Sequence, residues 1–190
     1  MAETDTRNQV LDVAQELAQT RGYNAFSFRD LAERVGVKSA SIHYWFPTKG
    51  DLGRELMLRY RKQFEAALDA IEARTRDPKR RLKAFVDLFL ATLRMGDRMC
   101  LCGMLAVEYG TLPRDVQLQV KEFFGECERW LARALDDGRK SKTLAFDGEP
   151  KDAARVLFAT LEGAMMSARA FGDESRLASA GQWMLKAVSK

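Results

Sequence analysis

Apolar side chains return every third or fourth residue along almost the whole chain, and nowhere do they alternate with polar ones over the length of a strand. That pattern restricts the chain to an all-α fold, in which each helix buries one apolar stripe against its neighbours. Val10, Ala14, Leu17 and Ala18 make the stripe of a first helix, stopped by Gly22. Ser27 caps a short second helix, with Asp30 at the reciprocal position and Phe28, Leu31, Ala32 and Val35 apolar; Gly36 ends it. A third, very short helix covers roughly Ser39 to Phe46 and closes at Pro47. Thr48 caps the fourth, with Asp51 three residues on. Leu52, Leu56, Tyr60, Phe64, Leu68 and Ile71 then run in steps of four or three.

Asp77-Pro78 is the next break. Leu82, Phe85, Val86, Phe89, Leu90 and Leu93 form a further stripe, interrupted at Gly96-Asp97. A short segment from Met99 to Tyr109 ends at Gly110 and Pro113. Val116, Val120, Phe123, Phe124, Cys127, Trp130, Leu131, Ala134 and Leu135 mark a long helix that Gly138 is expected to stop. Residues 139–150 read as a polar loop, and helices over about 151–171 and 174–188 finish the chain. About nine helices result, three short ones followed by longer ones. The change near Lys49 places a domain boundary there: 1–50 as a three-helix head, 51–190 as a second helical domain.

With 46% hydrophobic and 31% charged residues in 190, the chain has the profile of a globular protein. No apolar run approaches the roughly 20 residues needed to cross a bilayer, so no membrane partner is expected. Met1 to Asp5 lacks the basic and apolar regions of a leader peptide, which predicts a cytoplasmic protein. Cys100, Cys102 and Cys127 would stay thiols there. A net charge of +4 is permissive for nucleic acid without proving it. Its placement says more: from Arg34 to Gly50 there is no Asp or Glu, while Arg34, Lys38 and Lys49 are present. A phosphate-facing surface needs such a window.

A helix-turn-helix requires two helices crossing steeply through a tight turn, the second short enough to enter the major groove. The run from Ser27 to Phe46 meets these demands. Ala32 is small where the helices would cross, and Gly36 suits a left-handed turn residue. Ile42 and Phe46, four apart, anchor the third helix inward, so Ser39, Ala40, Ser41, His43 and Tyr44 face out. A plain solvated face has little use for an exposed Tyr and His among small residues. Phosphate hydrogen bonds and contacts with thymine methyls do.

Gly36-Val37-Lys38-Ser39-Ala40-Ser41-Ile42-His43-Tyr44-Trp45-Phe46-Pro47-Thr48-Lys49-Gly50-Asp51-Leu52 resembles the signature of the tetracycline-repressor (TetR) family, G-V-S-x-G-x-[LI]-Y-x-[YH]-F-x-[ST]-K-x-x-L. The match covers about the first quarter of the chain. By motif position, the resemblance implies base-edge contacts from Arg29, Ser39, Ala40, Ser41 and His43. Ser27, Lys38, Tyr44 and Lys49 would hold phosphates, Lys49 together with amides at the start of the fourth helix. Trp45 and Phe46 would lock the recognition helix to the core. Lys38 stands where the family has Ser, so Ser39 is expected to cap instead; His43 replaces the usual Tyr.

The resemblance makes the remainder a ligand-binding and dimerisation domain. Ala159, Gly163 and Ser167 recur every four residues as a small-residue stripe, and the last helix adds Leu177, Gly181, Met184, Leu185 and Val188. Two such helices per subunit would make a four-helix, two-fold interface. Phe89, Met99, Cys100, Met104, Phe123, Cys127, Trp130 and Met165, with Met95, Phe158 and Met166, are candidates to line an apolar effector cavity, and equally to be plain core. Cys100 precedes a short helix near Arg94 and Arg98, an environment that would favour a thiolate and an electrophile- or redox-sensing repressor. Inert packing is the alternative.

A repressor released from a palindromic operator by an unidentified small molecule is therefore the expected function. A helical adaptor that binds no DNA is the other class to weigh. Catalysis is not expected: His43 is the only histidine and sits on the recognition helix, Cys100-x-Cys102 lacks zinc-finger spacing, and no glycine-rich phosphate loop occurs. Neither a metal nor another cofactor is expected.

Overall fold

The computed structural model describes residues 2–189, with side chains from Asp5 onward, so of the expectation at Met1–Asp5 Met1 lies outside the described residues. Among these there are nine α-helices: α1 (Ala2–Arg21), α2 (Phe28–Val35), α3 (Ser39–Trp45), α4 (Lys49–Arg74), α5 (Pro78–Arg94), α6 (Leu101–Val107), α7 (Arg114–Lys140), α8 (Pro150–Phe171) and α9 (Ser175–Ala187). A 3-10 turn, Tyr109–Thr111, follows α6, and an isolated bridge pairs Leu144 with Ser189. No helix among the described residues is long and apolar enough to cross a membrane.

The chain packs as two compact units. One comprises residues up to 62 together with 101–122; the other comprises 63–100 and 123 onward. The break expected after residue 50 thus falls in the first turn of α4, whereas packing divides the chain further along that helix. It also returns α6 and the start of α7 to the unit that holds α1–α3.

In the first unit the capping chemistry fixes both helix starts. Ser27 Oγ accepts the Asp30 N–H at 3.4 Å while Asp30 Oδ2 accepts the Ser27 N–H at 2.7 Å. Thr48 and Asp51 repeat this reciprocal pair at the start of α4, at 3.1 and 2.9 Å. Gly36, at φ 77°, ends α2 in the left-handed conformation, its N–H on the Ala32 carbonyl. Val10, Ala14, Leu17, Leu31, Ile42, Phe46, Leu52 and Leu56 are buried at the centre of this unit. Each large apolar side chain so buried contributes about 1.5–3 kcal/mol.

The second unit packs α5, α8 and α9 against one another. Phe85 stands at its centre, stacked on Trp130 at 5.5 Å between ring centroids, with Phe64 at 5.9 Å and Phe89 at 5.6 Å. Two expectations change here. The long helix runs through Gly138 to Lys140, because the chain turns back only after it: the N–H groups of Thr143 and Leu144 cap the Gly138 carbonyl at 2.9 and 3.0 Å. Gly138 permits that return, since a Cβ there would collide with Leu144 Cδ1. On α9, Leu177 and Gly181, with Val188 just past its end, are buried within the unit and do not face outward; a Cβ on Gly181 would collide with Val86 Cγ1.

Candidate nucleic-acid interface

Sequence places a steep two-helix turn between Ser27 and Phe46, and the structure builds it from α2 and α3, both packed on α1. Ile42 and Phe46 are completely buried, Arg7 sits 5.0 Å over the Phe46 ring, and Trp45 is half-buried. The opposite face of α3 is open: Ala40 and His43 are exposed, Ser39 and Ser41 half-buried, and Tyr44 is 77% exposed. His43 is held edge-on to Phe28 at 4.7 Å, with Nδ1 3.5 Å from the Pro47 carbonyl. The helix is capped by Lys38, whose own side chain makes no cap; Ser39 is the first helical residue and caps nothing, contrary to expectation. Its hydroxyl is thereby left for other partners.

The remaining predicted contacts divide. Lys38 and Arg29 are exposed, Arg29 resting in an ion pair with Glu33 at 3.0 Å on its own helix. Ser27 is exposed, yet its hydroxyl is committed to Asp30 at 2.5 Å. Lys49 points inward. Its ammonium donates to the Phe26 carbonyl and lies 4.5 and 4.9 Å from the ring centroids of Phe26 and Tyr23, and burial lowers its pKa. In this conformation Lys49 ties the start of α4 to the α1–α2 turn, and the Thr48 N–H that a phosphate would take belongs to Asp51.

That turn is held by a residue the sequence reading did not single out. Glu108 accepts the Tyr23 N–H at 2.6 Å and the Asn24 N–H at 3.1 Å, satisfying backbone donors ahead of α2. Arg34 adds a 2.8 Å ion pair to Glu16 on α1.

In the second unit, Phe89, Met99, Cys100, Phe123, Cys127, Trp130 and Met165 are all buried, as is Phe158; Met104 belongs to the first unit and is half-buried. Met95 and Met166 are exposed and line no interior. Cys100, Cys102 and Cys127 are free thiols, all buried. Arg94 is bound to Glu174 by two hydrogen bonds of 2.8 and 2.9 Å, and the carboxyl of Glu162 stands beside Cys100 and hydrogen-bonds with its thiol. Burial pushes the Cys127 thiol well up. No cluster of His, Cys, Asp and Glu among the described residues is arranged to hold a metal.

Comparison with known proteins places this geometry. Residues 10–56 match the family described as bacterial regulatory proteins, tetR family, and residues 78–184 match the tetracyclin repressor-like C-terminal domain. A crystal structure of a TetR-family transcriptional regulator from Agrobacterium tumefaciens superposes with a TM-score of 0.96 at 32% identity, over 99% of this chain and 100% of that one. The chain belongs to the TetR family. A TetR regulator from Legionella pneumophila is similar at TM-score 0.88 and 33% identity, over 95% and 96% of the two chains. The HTH-type transcriptional repressor NemR of Escherichia coli K12 is 27% identical over 173 residues, 88% of this chain and 85% of that one.

Within this TetR-family chain, every predicted DNA contact falls inside the first matched segment and every predicted effector residue inside the second. Glu162 was missed, although the pattern held a signal. It occupies the apolar stripe of α8, four residues after Phe158 and three before Met165, where a charged residue breaks the helical rule. Glu108 left no such trace, because its partners are backbone amides 84 and 85 residues away.

Proposed function

We propose that this TetR-family chain is a dimeric transcriptional repressor of the cytoplasm that binds a near-palindromic operator and is released from it by a small molecule. The observation that carries the reading is the two-sided α3: Ile42 and Phe46 fully buried, with Tyr44, His43 and Ala40 turned to solvent. On such a helix Ser39, Ala40, Ser41 and His43, with Arg29, read base edges, and Lys38 and Tyr44 hold phosphates. Ser27 and Lys49 serve the operator only after exchanging Asp30 and the Phe26 carbonyl for phosphate. The names of the relatives support repression, NemR being a transcriptional repressor and so too DhaR of Mycobacterium.

Dimerisation is assigned to the outer face of α8 and α9. Val156, Ala159, Gly163 and Met166 are exposed along one helix, and Trp183 is 74% exposed on the other. A Cβ on Gly163 would meet nothing within 4 Å, so a partner helix has room to approach. A two-fold dimer sets its recognition helices about 34–36 Å apart, one turn of DNA. Effector binding in residues 51–190 shifts the population towards dimers whose heads, residues 1–50, no longer match that spacing. Cys100, 3% exposed and beside an acid, does not favour a thiol-sensing version of this cycle.

Selection of random duplex DNA on the purified protein tests the reading. Recovery of a palindrome, lost in Tyr44→Ala and weakened in Lys38→Ala with a salt slope smaller by about 1, is the expected result. Sequence-blind binding in the parent protein would overturn the operator reading, and no DNA binding at all would favour the helical adaptor.

A further inference from the structure

His43 is the chain's only histidine and stands exposed on α3, three residues after Ala40 and so on the same face. Two contacts remove the freedom of its ring. It meets Phe28 of α2 edge-on, with centroids 4.7 Å apart and planes at 66°, and its Nδ1 lies 3.5 Å from the Pro47 carbonyl just past the end of α3. Among the described residues no other hydrogen-bond partner meets this ring. A carbonyl oxygen can only accept, so the contact is a hydrogen bond only when Nδ1 carries the proton. In the neutral ring Nε2 is then bare, and it can only accept. The backbone turn at Pro47 thus selects the tautomer.

A hydroxyl at this position could turn to donate or to accept; a ring held at one nitrogen and one edge offers a fixed lone pair. In the major groove the amino donors are N6 of adenine and N4 of cytosine, whereas guanine N7 and O6 and thymine O4 are acceptors. A lone pair set against another acceptor gains no bond and leaves both groups stripped of water. We propose that His43 is a specificity-determining residue of the recognition helix, its Nε2 accepting from the exocyclic amino group of an adenine or a cytosine in each operator half-site. Phe28 and Pro47 are its positioning partners: one fixes the ring plane, the other the tautomer. This assignment rests on the chain being an operator-binding dimer.

Two measurements on the full-length protein test it. Because His43 is the only histidine, a long-range proton–nitrogen correlation spectrum at about pH 8.5, where imidazoles are neutral, reads its tautomer directly. A proton on Nδ1 is expected; a proton on Nε2 would overturn the proposal. Random duplexes are then selected on the parent protein and on His43→Ala, whose folding a melting curve establishes, and the base pair whose preference the variant loses is the contacted one. There the amino-bearing base is replaced by its deamino analogue, purine for adenine or 2-pyrimidinone for cytosine. The parent is expected to lose about fivefold in affinity and His43→Ala to lose none. A 7-deazapurine at the same pair, which removes the N7 acceptor, should affect the two proteins alike. An equal loss in both proteins on deamination, a 7-deaza loss confined to the parent, or no base pair that responds to His43→Ala would overturn the proposal and leave the palindrome, with the operator reading, in place. Failure of the parent to select any palindrome would overturn both.

Discussion

Tyr23 shows how single positions hold the head together. Its ring is buried, its hydroxyl donates to the Lys49 carbonyl at 2.5 Å, and the ammonium of Lys49 lies over its face. Burial first, then the charges of Asp51 and Glu108, push its pKa up to about 12. The sign follows: the folded form keeps its proton above the ordinary tyrosine value of about 10. The associated stability is therefore complete below about pH 10 and is lost as pH rises towards about 12. Tyr23→Phe should accordingly flatten the alkaline limb of an unfolding profile. Gly53 is as tightly placed, since a Cβ there would meet Tyr23 Cε2 and Oη at 2.9 Å and Val116 Cγ2 at 3.0 Å. Gly53→Ala should cost about 1–3 kcal/mol in chemical denaturation, through overpacking against a ring that cannot retreat. A variant as stable as the parent would mean that Tyr23 moves freely.

At the scale of the element, α2 depends on its ends more than on its eight residues, too few for a helix to persist alone. Ser27→Ala should cost about 1 kcal/mol of stability. The hydrogen bonds from Ser27 and Thr48 hold Asp30 and Asp51 below their ordinary pKa values. Groups lowered in this way contribute stability above the ordinary carboxylate range, and that contribution disappears as pH falls through the lowered values. Denaturation midpoints followed down to about pH 2 should fall less steeply in Ser27→Ala than in the parent; an unchanged slope would remove the capping box from the account of acid stability. The same hydroxyl is a predicted phosphate contact, so operator affinity in Ser27→Ala reports whether the cap gives way to DNA.

For the molecule as a whole, the prediction lies on the exposed apolar face of α8 and α9. Gly163→Arg fills open space with a charged side chain, and Trp183→Glu places charge on the most exposed indole. Neither touches the buried interior, so each should remain folded and sediment as a monomer where the parent is a dimer. Losing the linked second head should lower operator affinity about 10²–10⁴-fold. A folded monomer with parental operator affinity would remove the two-fold model of recognition.

Local rules were enough for the helices and the DNA-reading head. Ser27 with Asp30, Thr48 with Asp51, Gly36, Pro78 and the Ile42–Phe46 pair act within a few residues, so their outcome could be read directly from the chain. Where a helix meets something distant, the chain alone was silent or misleading. Gly138 looks like a stop and proves to be a seat for Leu144, and Gly181 looks like a partner-facing gap and proves to be a seat for Val86. Lys49 reads as a phosphate ligand and is drawn to a carbonyl and two rings by the turn 23 residues before it. Periodicity reports that a face is apolar; which face it meets, and that Glu162 is buried there beside the Cys100 thiol, is decided only by the packing of helices far apart in sequence.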